Sequence, residues 1–417
     1  MQEKVFGMKP EVGRWYFVLL GLLMNLCLGA VYAFSVFKKP LQELWGINAT
    51  QSGLPFMIFL AMFALFMALA GGLVGKWGPK KAGLLGGVLV GAGWILAGFA
   101  SNITWLTVFY GVIGGAGVGI IYGCPIAVAA KWFPDKKGLA VGLTVMGFGL
   151  SALVMAPLMR TLIANPSVGP MRTFTYLGIA FLAILVLLSL PMRSPKDDWK
   201  PAGWDGQAAK GSSQVELDRG KMLRTGSFYA LWGTYTIGCL AGLMAIGISS
   251  PVGEEVALLT PSMAALSVSV FAIFNGIGRP IFGWLTDRLT PRNTASLSFV
   301  LILAASALLY LWGQGSTPIY FVSFIILWMN LGGWLAIAPT ATATLFGTKH
   351  YAKNYGLIFT SYGIGALLGN TLAGMIRDAS GGYLPVFLPV MGLAALGLII
   401  SLLWLKPVGA KEPSQST

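Results

Sequence analysis

Apolar runs of about twenty residues, separated by short polar stretches, repeat along the whole chain, and that is the length a helix needs to cross a bilayer's hydrocarbon. They fall near 15–37, 53–75, 82–100, 105–130, 138–164, 173–192, 226–250, 262–286, 294–313, 318–345, 354–376 and 384–405, so twelve spans are predicted. Ten-residue segments of alternating polarity, the mark of a transmembrane barrel, do not occur. The expected class is an all-α membrane protein. The longest polar interval, Arg193 to Arg224, separates six spans from six. Its Lys, Asp, Gly, Ser and Gln content reads as a linker with a short surface helix near its end. The expected division is an N-terminal six-helix bundle over 1–192, a cytoplasmic linker over 193–224 and a C-terminal six-helix bundle over 225–417. Only the polar MQEKVFGMKPEVGR precedes the first run, and no small-residue cleavage site follows it, so an uncleaved first span is expected.

Composition agrees with this reading. Of 417 residues 56% are hydrophobic and 10% charged, with a mean hydropathy of +0.75, outside the range of soluble domains. With both termini in the cytoplasm, the outer side holds Lys38, Lys39, Arg160, Arg172 and Arg377. Arg279 falls inside a span, and every other Lys and Arg falls on the inner side. This asymmetry accounts for the net charge of +14 without any nucleic acid, and it predicts a multi-pass protein of a plasma membrane, the inner membrane in a bacterium. Cys27, Cys124 and Cys239 lie far apart in apolar runs and read as small buried side chains. The single histidine, His350, falls in a basic loop. No metal site and no cofactor are expected.

The stretch FAIFNGIGRPIFGWLTDR, Phe271 to Arg288, carries Arg279 in an otherwise apolar run. A guanidinium at that depth costs roughly 2.5 to 3.5 kcal/mol on insertion scales and is rarely kept without a partner. The acidic residues supply none at mid-membrane. Glu43, Glu254, Glu255 and Asp378 sort to the outer side and the rest to the inner side. Glu254 and Glu255, at the outer end of the seventh span, are the carboxylates that a fold could bring nearest. Otherwise the natural partner is a carboxylate that comes and goes, a transported anion. A membrane enzyme is disfavoured by the lack of a His-Glu-x-x-His run, clustered metal ligands or an acid–base pair at membrane depth. A sensor that binds the anion without moving it stays open, although no signalling domain is appended.

Small residues stack at four-residue spacing in Gly83, Gly87 and Gly91, in Gly111, Gly115, Gly119 and Gly123, and in Gly365 with Gly369. Such faces let helices approach closely, either for fixed packing or for sliding. The two halves also echo each other. Gly71-Gly-Leu-Val-Gly-Lys-Trp-Gly-Pro-Lys-Lys81 follows the second span, and Gly283-Trp-Leu-Thr-Asp-Arg-Leu-Thr-Pro-Arg292 follows the eighth. PIAVAAKWFPDKKG, from Pro125, is likewise echoed by PTATATLFGTKHYAKNYG, from Pro339.

These loops resemble the signature of the major facilitator superfamily, although Gly75 stands where that signature has Asp and Thr290 where it has its second Gly. The resemblance implies two six-helix bundles held at the cytoplasmic face by loop contacts, with Asp287 and Arg288 the candidate latch. Within the superfamily the chain is similar to the monocarboxylate transporter family and its bacterial relatives, among them the oxalate:formate antiporter and carriers of L-lactate with a proton. The motifs that carry the likeness are GAGVGIIYG, KWFPDKKGLAVG, KMLRTGSFYALW, FNGIGRPIFGWLTDR and KNYG, in that order.

The resemblance assigns substrate carboxylate binding to Arg279, and a planar fork of donors suits a carboxylate. Asn275, four residues earlier, lies on the same helical face. Animal members have Asp at that position and a Lys in the first span where this chain has Val36. The oxalate carrier's second cation aligns with Tyr362. Its aromatic positions fall on Tyr32 and Tyr122, on Phe148 and Phe359, and on Leu331 and Leu335. One cation in a wall of hydroxyls and apolar side chains implies a small monocarboxylate such as L-lactate or pyruvate. Co-transport of a proton is implied by the family, with Glu254 and Glu255 as candidate acceptors, and anion exchange remains the alternative. Lipid is the expected surrounding and a monomer the expected state.

Overall fold

The computed structural model describes residues 5–133, 137–196, 200–201, 216–347 and 350–406. Twelve helices among them are long and apolar enough to cross a membrane: Pro10–Trp45, Ala49–Ala70, Lys76–Ala97, Ile103–Ala129, Ala140–Ala164, Gly169–Ser189, Gly226–Glu255, Pro261–Thr286, Arg288–Trp312, Thr317–Phe346, Lys353–Ser380 and Leu384–Trp404. They match the twelve hydropathic runs in order. Much of the expected linker lies outside the described residues. Its end is described, and there a short helix, Arg219–Met222, starts on an Asp218 side chain that accepts from the Lys221 N–H. An even number of spans puts the start of the first span and the end of the last at one end of the molecule, called here the terminal end. The opposite end is the distal end.

Helix starts follow ordinary capping chemistry, which matters because lipid offers no partner to a free N–H. Asn48 and Gln51 form a reciprocal capping box at the second span, Thr225 accepts from Phe228 at the seventh, and Thr260 accepts from Met263 at the eighth. The first span runs further than its hydropathy predicts. It is α-helical over Pro10–Leu28, tightens into a 3-10 segment over Gly29–Phe37, and resumes as helix over Lys38–Trp45. This continuation carries Lys38, expected in a loop, into the protein, where it is buried.

The loop echo between the halves reappears as backbone geometry. The second and third spans join through Gly78 (φ 77°, ψ 166°) before Pro79, and the eighth and ninth join through Thr290 (φ 76°, ψ 154°) before Pro291. Both residues sit in a region that is essentially glycine's own. Thr290 holds the same corner with a β-branched side chain.

The glycine ladders pack within bundles rather than between them. Gly83, Gly87 and Gly91 face Ser189, Leu185 and Leu182 of the sixth span. Gly115 and Gly119 face Phe59 and Phe63 of the second, and Gly365 and Gly369 face Cys239 and Leu240 of the seventh. Of the two readings of these faces, fixed packing fits this placement. A different set of small residues lines the seam between bundles. A Cβ on Gly149 would stand 3.2 Å from Gly276 Cα, and one on Gly363 would stand 2.8 Å from Ala64 Cβ. The fifth and eighth spans, and the second and eleventh, therefore meet almost backbone to backbone.

Thr290→Gly should raise the stability of the purified protein by about 1 kcal/mol, since roughly 1 to 3 kcal/mol of backbone strain is relieved against roughly 0.5 to 1 of added chain entropy. Thermal unfolding in detergent measures it, and a lower melting temperature would show that the corner is not strained.

Candidate functional site

At the seam, beside the 3-10 segment of the first span, eight side chains line a cavity of about 10 Å3: Tyr32, Phe63, Tyr122 and Phe148 from the N-terminal bundle, and Arg279, Leu335, Phe359 and Tyr362 from the C-terminal bundle. The rings interlock across the seam. Phe63 has Tyr122, Phe148, Phe359 and Tyr362 within 5.1 to 5.8 Å between ring centroids. Phe359 stacks on Tyr362 at 5.0 Å, and the Tyr32 and Tyr362 hydroxyls share a hydrogen bond of 2.8 Å. That bond joins the bundles directly. The cavity is too small for a three-carbon acid, because it has barely the room of one water.

Arg279 lies nearer the terminal end of its span than the distal end. Its Nη1 donates to the Val145 carbonyl of the fifth span at 2.9 Å, while Nε and Nη2 are buried with no hydrogen-bond partner. Those two nitrogens flank one edge of the planar guanidinium, and that edge presents two parallel N–H groups of the kind a carboxylate accepts together. A desolvated charge with an unpartnered edge is expensive, so the arrangement favours an anion. The Tyr122 hydroxyl lies within hydrogen-bonding reach of the guanidinium, and the Tyr32 phenol lies within reach of its charge.

Seven of the nine sequence-predicted pocket residues are thus brought together. Asn275 is not among the lining residues. It is fully buried, its Nδ2 donates to the Trp328 carbonyl of the tenth span at 3.0 Å, and its Oδ1 lies 3.2 Å from where a Cβ on Gly149 would stand. Leu331, aligned with an aromatic pocket position, instead packs behind the seventh span against Gly242. Phe63, central to the ring cluster, was not singled out by the sequence. It is one aromatic in an apolar run, with no charge or spacing to mark it.

A second group of charges sits at the distal end. Glu254 pairs with Lys39 of the other bundle at 3.2 Å and accepts from the Ser250 hydroxyl. Glu255 stays within its own bundle, accepting from Arg377 Nε and Nη2 at 3.3 and 3.1 Å and from the Tyr383 N–H at 3.0 Å. Neither carboxylate approaches Arg279 in these contacts. Asp378 reaches across the seam to the start of the second span, accepting from the Ala49 and Thr50 N–H groups at 3.1 Å each and from the Thr50 hydroxyl. A carboxylate there also meets the positive end of the helix dipole. At the corner between the eighth and ninth spans, the Arg288 guanidinium lies 5.0 Å from the Trp284 ring centre. The Asp287 side chain lies outside the described residues.

The sequence profile of the Major Facilitator Superfamily matches residues 18–256 and 236–417. The chain belongs to the major facilitator superfamily. Its likeness to a bacterial homolog of the human lysosomal transporter Spinster, solved inward-facing and unoccupied, covers 94% of each chain with a TM-score of 0.67 at 16% identity and carries the fold. Among curated relatives in the superfamily, the oxalate:formate antiporter of Oxalobacter formigenes is 29% identical over 372 residues, covering 88% of this chain and 86% of that protein. Monocarboxylate transporter 13 of Bos taurus is 27% identical over 406 residues, covering 94% and 91%. The protein is accordingly a transporter of this superfamily related to both, a multi-pass membrane protein and not an enzyme.

The two distal glutamates should separate on mutation. Glu255→Gln weakens three bonds that join the seventh span to the eleventh and its following turn, and should destabilise the detergent-solubilised protein by about 1 to 2 kcal/mol. Glu254→Gln weakens one partly exposed ion pair and should shift the melting temperature less. A larger shift for Glu254→Gln would contradict this division.

Proposed function

We propose that the protein is a secondary transporter that moves small monocarboxylates, L-lactate and pyruvate, together with a proton by alternating access. The observation that carries the proposal is the unpartnered Nε–Nη2 edge of Arg279 in a seam cavity that contains no second cation among its lining residues. One guanidinium edge neutralises one carboxylate. Tyr32, Tyr122 and Tyr362 supply hydroxyls for the substrate's own hydroxyl or keto group, and Phe63, Phe148, Leu335 and Phe359 supply wall for its short body. Asn275 acts from behind, holding the eighth span against the tenth so that Arg279 keeps its place.

Because the cavity holds barely a water, binding requires the bundles to part and the Tyr32–Tyr362 bond to open. Gly149, Gly276 and Gly363 give that motion smooth surfaces. The distal ties through Glu254 and Asp378 stabilise the form closed at that end, and the excess of Lys and Arg in the loops of the other end supports reading it as the outer one. Glu254 is the better candidate of the two for responding to protons, since its charge joins the bundles whereas that of Glu255 joins spans of one bundle. Anion exchange is the second reading, favoured by the oxalate:formate antiporter's 29% identity over most of both chains.

In proteoliposomes, Arg279→Ala should remove lactate uptake while the protein remains folded, a loss of roughly 2 to 5 kcal/mol in binding a charge pair of this kind. Arg279→Lys should recover little of it, because a point charge does not replace the fork. Near-normal uptake by Arg279→Ala would end the proposal. Symport and exchange separate by driving force: an inward proton gradient should drive lactate accumulation into empty vesicles, and uptake that needs internal lactate and ignores the gradient would favour exchange.

A further inference from the structure

Directly distal to the aromatic cluster, the seam opens into a second and larger cavity of about 120 Å3. Its N-terminal-bundle wall is Val36, Lys39, Pro40, Glu43 and Arg160, and its C-terminal-bundle wall is Ser250, Glu254 and Pro261. Val36 follows Tyr32 by four residues in the same 3-10 segment, a rise of roughly 8 Å, so one segment contributes a wall to both cavities, and the Tyr32–Tyr362 bond belongs to the smaller one. The volume is about what a three-carbon acid needs.

Two cations face this space. Lys39 is held by Glu254 across the seam. Arg160, at the distal part of the fifth span, makes no ion pair or hydrogen bond among the described residues, and its Nε is buried without a partner. Glu43 also lines the cavity, but it is exposed at the rim, where water screens its charge. When the bundles separate at this end, Glu254 leaves with the C-terminal bundle. The N-terminal wall is then left with Lys39 and Arg160 against the single solvated carboxylate of Glu43.

We propose that this distal cavity is a docking site for the carboxylate substrate, in which Arg160, joined by Lys39 once Glu254 releases it, holds the anion before it passes to Arg279. The inference rests on the monocarboxylate reading given above. The site captures anions from one side only. It also links arrival to opening, because a bound carboxylate competes with Glu254 for Lys39. A positive wall at the mouth of a low-dielectric passage raises the local anion concentration and the capture rate.

The test is L-lactate transport measured separately from each face in membrane vesicles of opposite orientation. Arg160→Gln should raise KM about fivefold for lactate offered at the distal face, with KM at the terminal face unchanged, and Arg160→Lys should restore most of the loss. Glu43→Gln, a rim substitution that folding should tolerate, should lower the distal-face KM about twofold. An unchanged distal KM in both variants overturns the docking site while leaving Arg279 as the central site. An equal rise from both faces in Arg160→Gln, with no rescue by lysine, shows a structural arginine and also overturns it. A wild-type protein that moves no monocarboxylate from either face removes the monocarboxylate reading, and the docking site with it.

Discussion

The structure depends on a guanidinium that is buried with one edge satisfied and the other not. The Val145 carbonyl takes Nη1 of Arg279, and nothing among the described residues takes Nε or Nη2. A fully paired arginine would be a structural strut across the seam. A wholly unpaired one would cost too much to keep in a span. The half-paired state anchors the side chain to the opposite bundle and leaves two donors open, so an anion taken at that edge and the position of the bundles would act on the same group. Around it the design follows: rings that close the space, glycines that let the fifth and eighth spans meet, and charged ties at the distal end.

Those distal ties have a different energetic character from the central site. Lys39–Glu254 is partly exposed, and Asp378 at the start of the second span is exposed, so each contributes on the order of 1 kcal/mol or less. Weak ties suit a gate. Alternation between two forms requires that neither be favoured by more than a bound substrate can offset. The several bonds of Glu255, no less exposed than the Lys39–Glu254 pair, and the buried Ser267–Tyr320–Ser249 hydrogen bonds instead lie within the C-terminal bundle.

The sequence made the fold legible because lipid leaves few choices. Twenty apolar residues imply a span, and the Gly78-Pro79 and Thr290-Pro291 corners mark a repeated unit in the sequence itself. Arg279 was legible for the same reason, as a charge in an apolar run. Residues whose role depends on tertiary proximity were less so. Phe63 carries no mark that separates it from other aromatics in the spans. Asn275 shares a helical face with Arg279 by spacing, yet a short approach of the tenth span captures its amide through the Trp328 carbonyl. Lys38 reads as a loop residue until the 3-10 segment is seen to carry the helix past it, and the pairing of Glu254 with Lys39 joins positions far apart in the chain.

The central claim is that one guanidinium edge in an aromatic pocket selects a single small carboxylate. Competition against labelled L-lactate in reconstituted vesicles tests it most directly. Pyruvate and unlabelled L-lactate should displace the label at similar concentrations, acetate less effectively because it reaches fewer of the hydroxyls, and oxalate only weakly because its second charge meets no second cation. Oxalate competing as well as or better than L-lactate would contradict the account.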